Sequence, residues 1–598
     1  MHIWALSLLT AVSCIAGTAS TASNEPGVLP DIQASREHAY AFFNSIHSAI
    51  RQWGSSYHHN GLSFYVAQAP TGSVFYHGAQ TPERPPGFEW LGFEIEHSAS
   101  FAMSFEPLPK DMSSETAQGE MASMDNRRRE ALLWHLVSHG RSTKRVSVVP
   151  EENTELSPPS QRPMRDTAFE TAKLKFCDGK DNDLFIVPDF DKFERGYFHT
   201  YRANRPLNLL YIDGQSAAKS GIGTLDSQDH ILLGWDTRMC HDRLTDNRRE
   251  LERAQGFCDL AQEWALDADG NVTKIDGFIR MEAGFEIIYC DFSSKGGLDQ
   301  VSVQASPFRN ETGIDDETDV FYETRYILHM QSEWLRAAAT RFHGLPAGRL
   351  DVDWSSMVSA LAYPMNTSNP NADRSDLPRL VNSTKQDLEI VHDRLRAVLA
   401  ARGGKSVREK NITNWQSVTD KIVSRYSSRL WTLATTVMDS GDFLAIIDTL
   451  IDPFTSYLEL QDYSLVTAGN STIDRCIQHY LETEPVNQAS WTPEDEAIAA
   501  VMETVSQRIC KTLFAARDVL RSGDTPVSIH TRTPLEEAQS GIQRLVKDLR
   551  WSTWKECGSC PHGTICSIPM FPSGSPQDYL QPTCQKPEKL LLHRDYWD

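Results

Sequence analysis

The residues best spaced for chemistry lie between Leu207 and Trp235, LNLLYIDGQSAAKSGIGTLDSQDHILLGW, where two apolar runs flank an insert of glycine, serine, lysine and aspartate. Apolar runs of that length fit buried strands, and a loop between two buried strands is held rigidly while staying reachable. Within it, Ser216-Ala217-Ala218-Lys219 has the spacing that puts hydroxyl and amine on one face of a helical turn, where a neutral lysine could deprotonate the serine. A Ser/Lys hydrolase is one reading. No convincing Lys-Thr-Gly element follows, and Gly214-Gln215-Ser216 is not a nucleophile elbow because position 218 is alanine. A helix-start serine beside an exposed lysine is the plainer alternative. Metal patterns are poorer. Asp267-Ala268-Asp269-Gly270-Asn271 has calcium-loop composition, but its glycine comes too early and no acid closes the loop, which leaves a hairpin turn. There is no His-Glu-x-x-His and no phosphate loop.

A second constellation is spread over three places. Val74-Phe75-Tyr76-His77-Gly78 ends one strand, Trp90-Leu91-Gly92-Phe93 leads into Glu96-His97-Ser98-Ala99-x-Phe101-Ala102, and Asp226-Ser227-Gln228-Asp229 precedes Ile231-Leu232-Leu233. Breaking a nicotinamide–ribose bond develops a cationic ribosyl centre, and a binding histidine with a carboxylate answers that need. From Val74 to Leu233 the order resembles the ADP-ribosyltransferase family. The resemblance implies NAD as substrate, with His77 binding the dinucleotide, Phe93 near the nicotinamide and Asp229 steadying the ribosyl cation. Family members normally carry glutamate at that last position, one methylene longer, and the polar insertion between the second and third pieces is long. The structural alternative makes His77 a strand-end residue with a structural hydrogen bond, Phe93 core and Asp229 a turn acid.

Those residues need a scaffold, and the chain has ample length for one. At 598 residues it is too long for a single core. Its net charge of −22, with both signs mixed along the chain, offers no basic stripe and argues against nucleic acid. Residues 1–22 read as a signal peptide, an uncharged apolar run from Ile3 to Ile15 followed by small residues, with cleavage near Ala19 or Ala22. No later run has the roughly 18 apolar residues that span a bilayer. The expectation is a secreted, extracellular protein. Removing Cys14 with the signal leaves ten cysteines, an even number that permits complete pairing, with connectivity open. Sequons at Asn271, Asn310, Asn366, Asn382, Asn411 and Asn470 make it a candidate glycoprotein.

The expected architecture is α+β. A mixed α/β domain spans 31–300, an all-α helical domain 315–552 and a small disulfide-rich cap 553–598. Ala39, Phe42, Phe43, Ile46, Ile50 and Trp53 predict one amphipathic helix over 31–53, ended by Gly54. Two strands, Leu62–Ala67 and Ser73–Tyr76, follow around a turn. Residues 107–165 read as a polar, partly disordered insertion. A helix is expected over 249–266, then a strand over 278–292 whose alternation sets Arg280, Glu282 and Glu286 on a charged face opposite an apolar one, covering a core on one side only. Beyond about 315 the pattern predicts helices alone. Two starts are marked by Thr492-Pro493-Glu494-Asp495 and Thr533-Pro534-Leu535-Glu536, each a capping hydroxyl before proline and first-turn acids. At the end, Cys557-x-x-Cys560-x5-Cys566-x17-Cys584 reads as two disulfides in preference to a zinc site.

As a whole, the chain resembles a family of secreted proteins of filamentous fungi without known function. The resemblance rests on RQWGSS at 51–56, YHG at 76–78, HTYR at 199–202, LLYIDGQSAAK at 209–219, GTLDSQD at 223–229 and IRMEAGFEIIYCDF at 279–292. Three readings therefore stand: a secreted glycoprotein with an ADP-ribosyltransferase-like NAD-binding domain, a non-catalytic binding protein for a small molecule or an extracellular glycan or protein, and a Ser/Lys hydrolase. The first needs His77, Phe93 and Asp229 lining one cleft. The third needs Ser216 and Lys219 within hydrogen-bond reach.

Overall fold

The computed structural model describes residues 27–104, 195–235, 249–265, 275–307, 349–402, 413–455, 472–482, 488–522, 533–570 and 574–590, with helical residues at 329–330 and 332–339 and short strand pairs between 146 and 186. The signal segment, most of the polar insertion, Cys177, Cys240 and four of the six sequons lie outside the described residues.

The fold is α+β, as the sequence patterning predicts. Its centre is a nine-stranded sheet: β1 (Asn60–Ala69), β2 (Val74–Ala79), β3 (Glu89–Gly92), β4 (Tyr197–Ala203), β5 (Leu207–Gly214), β6 (Gly277–Glu282), β7 (Gly284–Tyr289), β8 (Leu298–Ala305) and β9 (Asp351–Ser359). The order is β8-β4-β2-β3-β7-β6-β5-β1-β9. Neighbours are antiparallel except β5 and β6, which run parallel. Strands β1, β6 and β7 are buried at every position.

The structure departs from the predicted elements at several places. The predicted single helix over 31–53 is three: α1 (Ile32–Glu37), α2 (Ala39–Ser48) and α3 (Gln52–Tyr57). The break after Ser48 is held by distant residues. Ile50 sits at φ +55°, rare for a β-branched residue, while its N–H donates to Tyr211 Oη at 3.2 Å. Gln416 donates to the Ala49 carbonyl at 2.8 Å, and Arg51 grips Asp420 through two 2.7 Å bonds. Gly54 does not end the helix; it lets α3 fold back on α2, since a Cβ there would lie 2.6 Å from Ser48 Oγ.

The segment 278–292 is a hairpin instead of one strand. It turns at Glu282-Ala283-Gly284, where Gly284 has φ +102°, and pairs Arg280 directly with Glu286. Its charged face is buried too. The second half, expected to be purely helical, also supplies β9, which pairs with β1 as an edge strand.

Short α4 (Ile95–Ala99), beside β3, and α5 (Glu250–Glu263) belong to the sheet; among the described residues six longer helices form the helical region: α6 (Lys385–Arg402), α7 (Trp415–Thr435), α8 (Ser440–Ile451), α9 (Thr472–Glu482), α10 (Pro493–Arg521) and α11 (Pro534–Leu549). Both marked starts are full capping boxes. Helices α1 and α2 pack against α10, so one continuous core joins the halves. Disulfides link Cys258–Cys290, Cys476–Cys510, Cys557–Cys566 and Cys560–Cys584. The last two staple the terminal cap, as expected, and their sulfurs are therefore not zinc thiolates.

Candidate functional site

The apolar run Leu209–Ile212 carries β5 through the middle of the sheet and delivers Asp213 at its end. Gly214 then turns at φ +73° against Gly61, whose missing Cβ would overlap the Asp213 backbone at 2.2 Å. This close approach fixes Asp213 beside α2. Its carboxylate accepts from Ser45 Oγ at 2.5 Å, and Ser45 Oγ lies 2.9 Å from Ser63 Oγ and 3.1 Å from Tyr65 Oη. Burial raises the Asp213 pKa to about 7, against the opposing effect of hydrogen bonds from Ser45 and the Gly214 backbone.

Asp213 and Ser45 line a pocket of ≈ 240 Å³ where α1, α2, the sheet end, the 376–378 loop and the end of α11 meet. Among the described residues, four buried polar atoms of its wall have no hydrogen-bond partner in the protein. Asn44 Oδ1, Ser48 Oγ, His58 Nε2 and Asn60 Oδ1 are all of this kind, and all four residues line the pocket. The amide orientations follow from their other ends: Asn44 Nδ2 donates to the Leu549 carbonyl at 2.9 Å, and Asn60 Nδ2 to Ile222 and Pro378 carbonyls at 2.8 and 3.1 Å. His58 is held neutral by burial, then by the nearby charges of Arg550 and His47. Arg550, at φ +48° beyond α11, is bound to Asp376, also on the wall.

Beyond Asp213 the same stretch is pinned by charge. Asp226 accepts from the Arg379 guanidinium at 2.8 and 3.2 Å and from Leu380 N–H at 2.8 Å. Lys219 meets Glu282 at 3.3 Å and Glu250 at 3.9 Å. Burial works against its charge, but Glu282, Glu250 and Glu286 outweigh it and raise the lysine pKa. Arg280 joins Glu250, Glu286 and Gln228, and Arg253 joins Glu250 and Asp229. Burial alone would raise the Glu250 pKa; Arg280, Lys219 and Arg253 reverse that and hold it low. His97, Glu282 and Glu286 bring ligand-type atoms within 4.8 Å of one another, but the lysine ammonium already sits against Glu282. This network is internally compensated and reads as the anchor of the stretch.

The residues singled out from sequence stand as follows. His77 is buried on β2, its Nδ1 2.8 Å from the Trp90 carbonyl and its ring against His199 and Phe292. Burial lowers its pKa to about 4. Phe93 packs edge-on against Phe75 and Phe285, with the Arg349 guanidinium 5.3 Å from its ring. Asp229 lies in a π-helical turn, Ser227–Leu232, so the second apolar run of the stretch is helical and not the expected buried strand, and Asp229 takes two bonds from Arg253 at 2.7 and 3.0 Å. Each thus has its own protein partners. Ser216 Oγ donates to the Ile212 carbonyl at 2.8 Å, whereas Lys219 points to carboxylates and stays charged, so serine and lysine are given different partners. Sequence reasoning passed over Asn44, Ser45, Ser48, His58, Asn60 and Asp213. The available signal was the polar set Asn44, Ser45 and Ser48 on a helix otherwise built to be buried.

A chain with this mixed sheet and pocket matches, over residues 32–323, the family model described as the YPL277C N-terminal domain. Over longer spans it is similar to two Saccharomyces cerevisiae proteins. It is 24% identical to uncharacterized protein YOR389W, across 91% of this chain and 83% of that protein, and 26% identical to uncharacterized protein YPL277C, across 68% of this chain and 77% of that one. No solved structure matches. The similarity is thus to proteins of unknown function. No helix among the described residues is long and apolar enough to cross a membrane.

Proposed function

We propose that this chain is an extracellular, disulfide-stabilised protein that binds a small polar molecule in the Asp213 pocket. The observation that carries the reading is the wall itself: four buried polar atoms without protein partners around one cavity, beside a carboxyl poised near neutrality. Buried polar atoms are ordinarily bonded, so such a concentration is the mark of a surface completed by something else. A volume of ≈ 240 Å³ lies below the range of roughly 300–1,000 Å³ that drug-sized ligands fill, which favours a small guest. The four disulfides support a secreted protein, and Asn366 and Asn382 are exposed as glycan acceptors must be.

The transferase-like reading draws less support, because His77, Phe93 and Asp229 are each buried against other protein groups. The test is a thermal-shift and calorimetric panel of monosaccharides, polyols, amines and NAD against the full chain, beside Ala41→Trp, which fills the pocket from α2. A compound that binds the wild type and not Ala41→Trp supports the reading. Binding unaffected by Ala41→Trp overturns it, and NAD binding with nicotinamide release would restore the transferase reading.

A further inference from the structure

We infer that the ligand of this pocket is a small protonated amine and that its binding drives a proton off Asp213. The inference rests on the pocket reading above and adds the ligand's chemistry. Both wall amides are committed through Nδ2 to backbone carbonyls, so what each contributes is an acceptor oxygen. Neutral His58 keeps a hydrogen bond to the Arg550 backbone, which leaves Nε2 as a lone-pair acceptor. Ser48 Oγ can accept as well. The wall therefore calls for donors.

The charges agree. Glu37, Asp213, Asp376 and Asp548 line the pocket with Arg550 and His38. Arg550 is neutralised by Asp376, and Asp548 has Arg508 at 3.2 Å. Among the described residues, no cation is paired with Asp213 once it ionises, and Glu37, exposed at the rim and accepting from Gln33, adds a second negative charge. The groups around Asp213 itself are the hydroxyls of Ser45, Ser63 and Tyr65 and the phenol of Tyr211, with no cation among the causes of its shift. An ammonium seated there supplies both the missing positive charge and up to three N–H donors. A metal ion fits less well, because the sets of His, Cys, Asp and Glu that converge closely enough for coordination lie elsewhere among the described residues.

The reaction is a proton exchange: amine-H⁺ enters, the protonated Asp213 carboxyl gives its proton to buffer, and a carboxylate–ammonium pair forms. The experiment is calorimetry of the full chain with ethanolamine and with ethylene glycol, which is nearly isosteric but lacks the ammonium. Titrations run near pH 6 in two buffers of different ionisation heat. Expected are ethanolamine binding at least tenfold tighter than ethylene glycol and a heat that changes with buffer, reporting proton release. In Asp213→Asn, affinity falls at least tenfold and the buffer dependence vanishes, while the melting temperature is kept or raised.

Equal binding of the two compounds would overturn the inference and leave the pocket reading intact. Ethanolamine binding without buffer dependence would overturn the proton coupling. Silence from both compounds at millimolar concentration would overturn the amine assignment, and the pocket reading would then rest on the wider panel and Ala41→Trp.

Discussion

Asp213→Asn tests the central geometry through stability alone. In the native chain the carboxyl is 3% exposed and its pKa is raised from 3.8 to about 7. The native state therefore binds a proton that the unfolded chain has already lost, so stability falls as pH rises from about 3.8 to about 7 and is level above that. Each unit in that window is worth about 1.4 kcal/mol. Going from about pH 5 to about pH 8 crosses roughly two such units, so the wild type should lose about 3 kcal/mol relative to a variant that cannot titrate. Asparagine keeps an oxygen for the Ser45 hydroxyl, which preserves the local geometry. Urea unfolding of both proteins at the two pH values gives the comparison. A stability difference that does not grow with pH would refute the reasoning, since it would mean that Asp213 titrates alike in both states.

Other expectations follow from the same contacts. Arg280→Gln takes from buried Glu286 its hydrogen-bonded guanidinium and leaves Glu250 with Arg253 and Lys219 alone, and should cost about 3–5 kcal/mol in urea unfolding, far above an exposed control such as Lys385→Gln. Thr492→Ala should cost about 1–2 kcal/mol and Thr533→Ala about 1 kcal/mol at most, because the Asp495 held by the first cap also accepts from Trp415 Nε1 and Ser355 Oγ. Replacing Cys476 and Cys510 by serine opens a 34-residue link and should lower stability by about 4 kcal/mol on loop-entropy grounds. Peptide mapping without reduction should recover the four pairings described, and a 557–560 link would contradict the cap.

Local chemistry was legible in the sequence and long-range chemistry was not. Thr492 and Thr533 announced their helices because a cap and its partner lie three residues apart. Arg280, Glu282 and Glu286 were assigned to one face correctly, but alternation says which side chains share a face, not whether α5 will cover it. The kink at Ile50 depends on Tyr211, Gln416 and Asp420, and none of these is visible in the local pattern. The composition of the central stretch marks its glycine, serine, lysine and aspartate insert, yet the residue of the stretch that lines the pocket is Asp213. Its meaning comes from Ser45 and from a wall closed by residues near 376 and 550.

The late pairing of β9 with β1 has a consequence for biosynthesis. The Ser63–Ser359 contact joins residues 296 positions apart. At translation rates of roughly 5–20 residues per second, β1 emerges and then waits about 15–60 s for its outer neighbour. During that interval its apolar flank and open backbone edge are available to chaperones or to other nascent chains. The pocket waits longer still, because Asp548 and Arg550 are among the last helical-region residues to be made. A ligand present in the compartment of synthesis would thus capture only chains completed past α11, and would act as a chemical check on maturation.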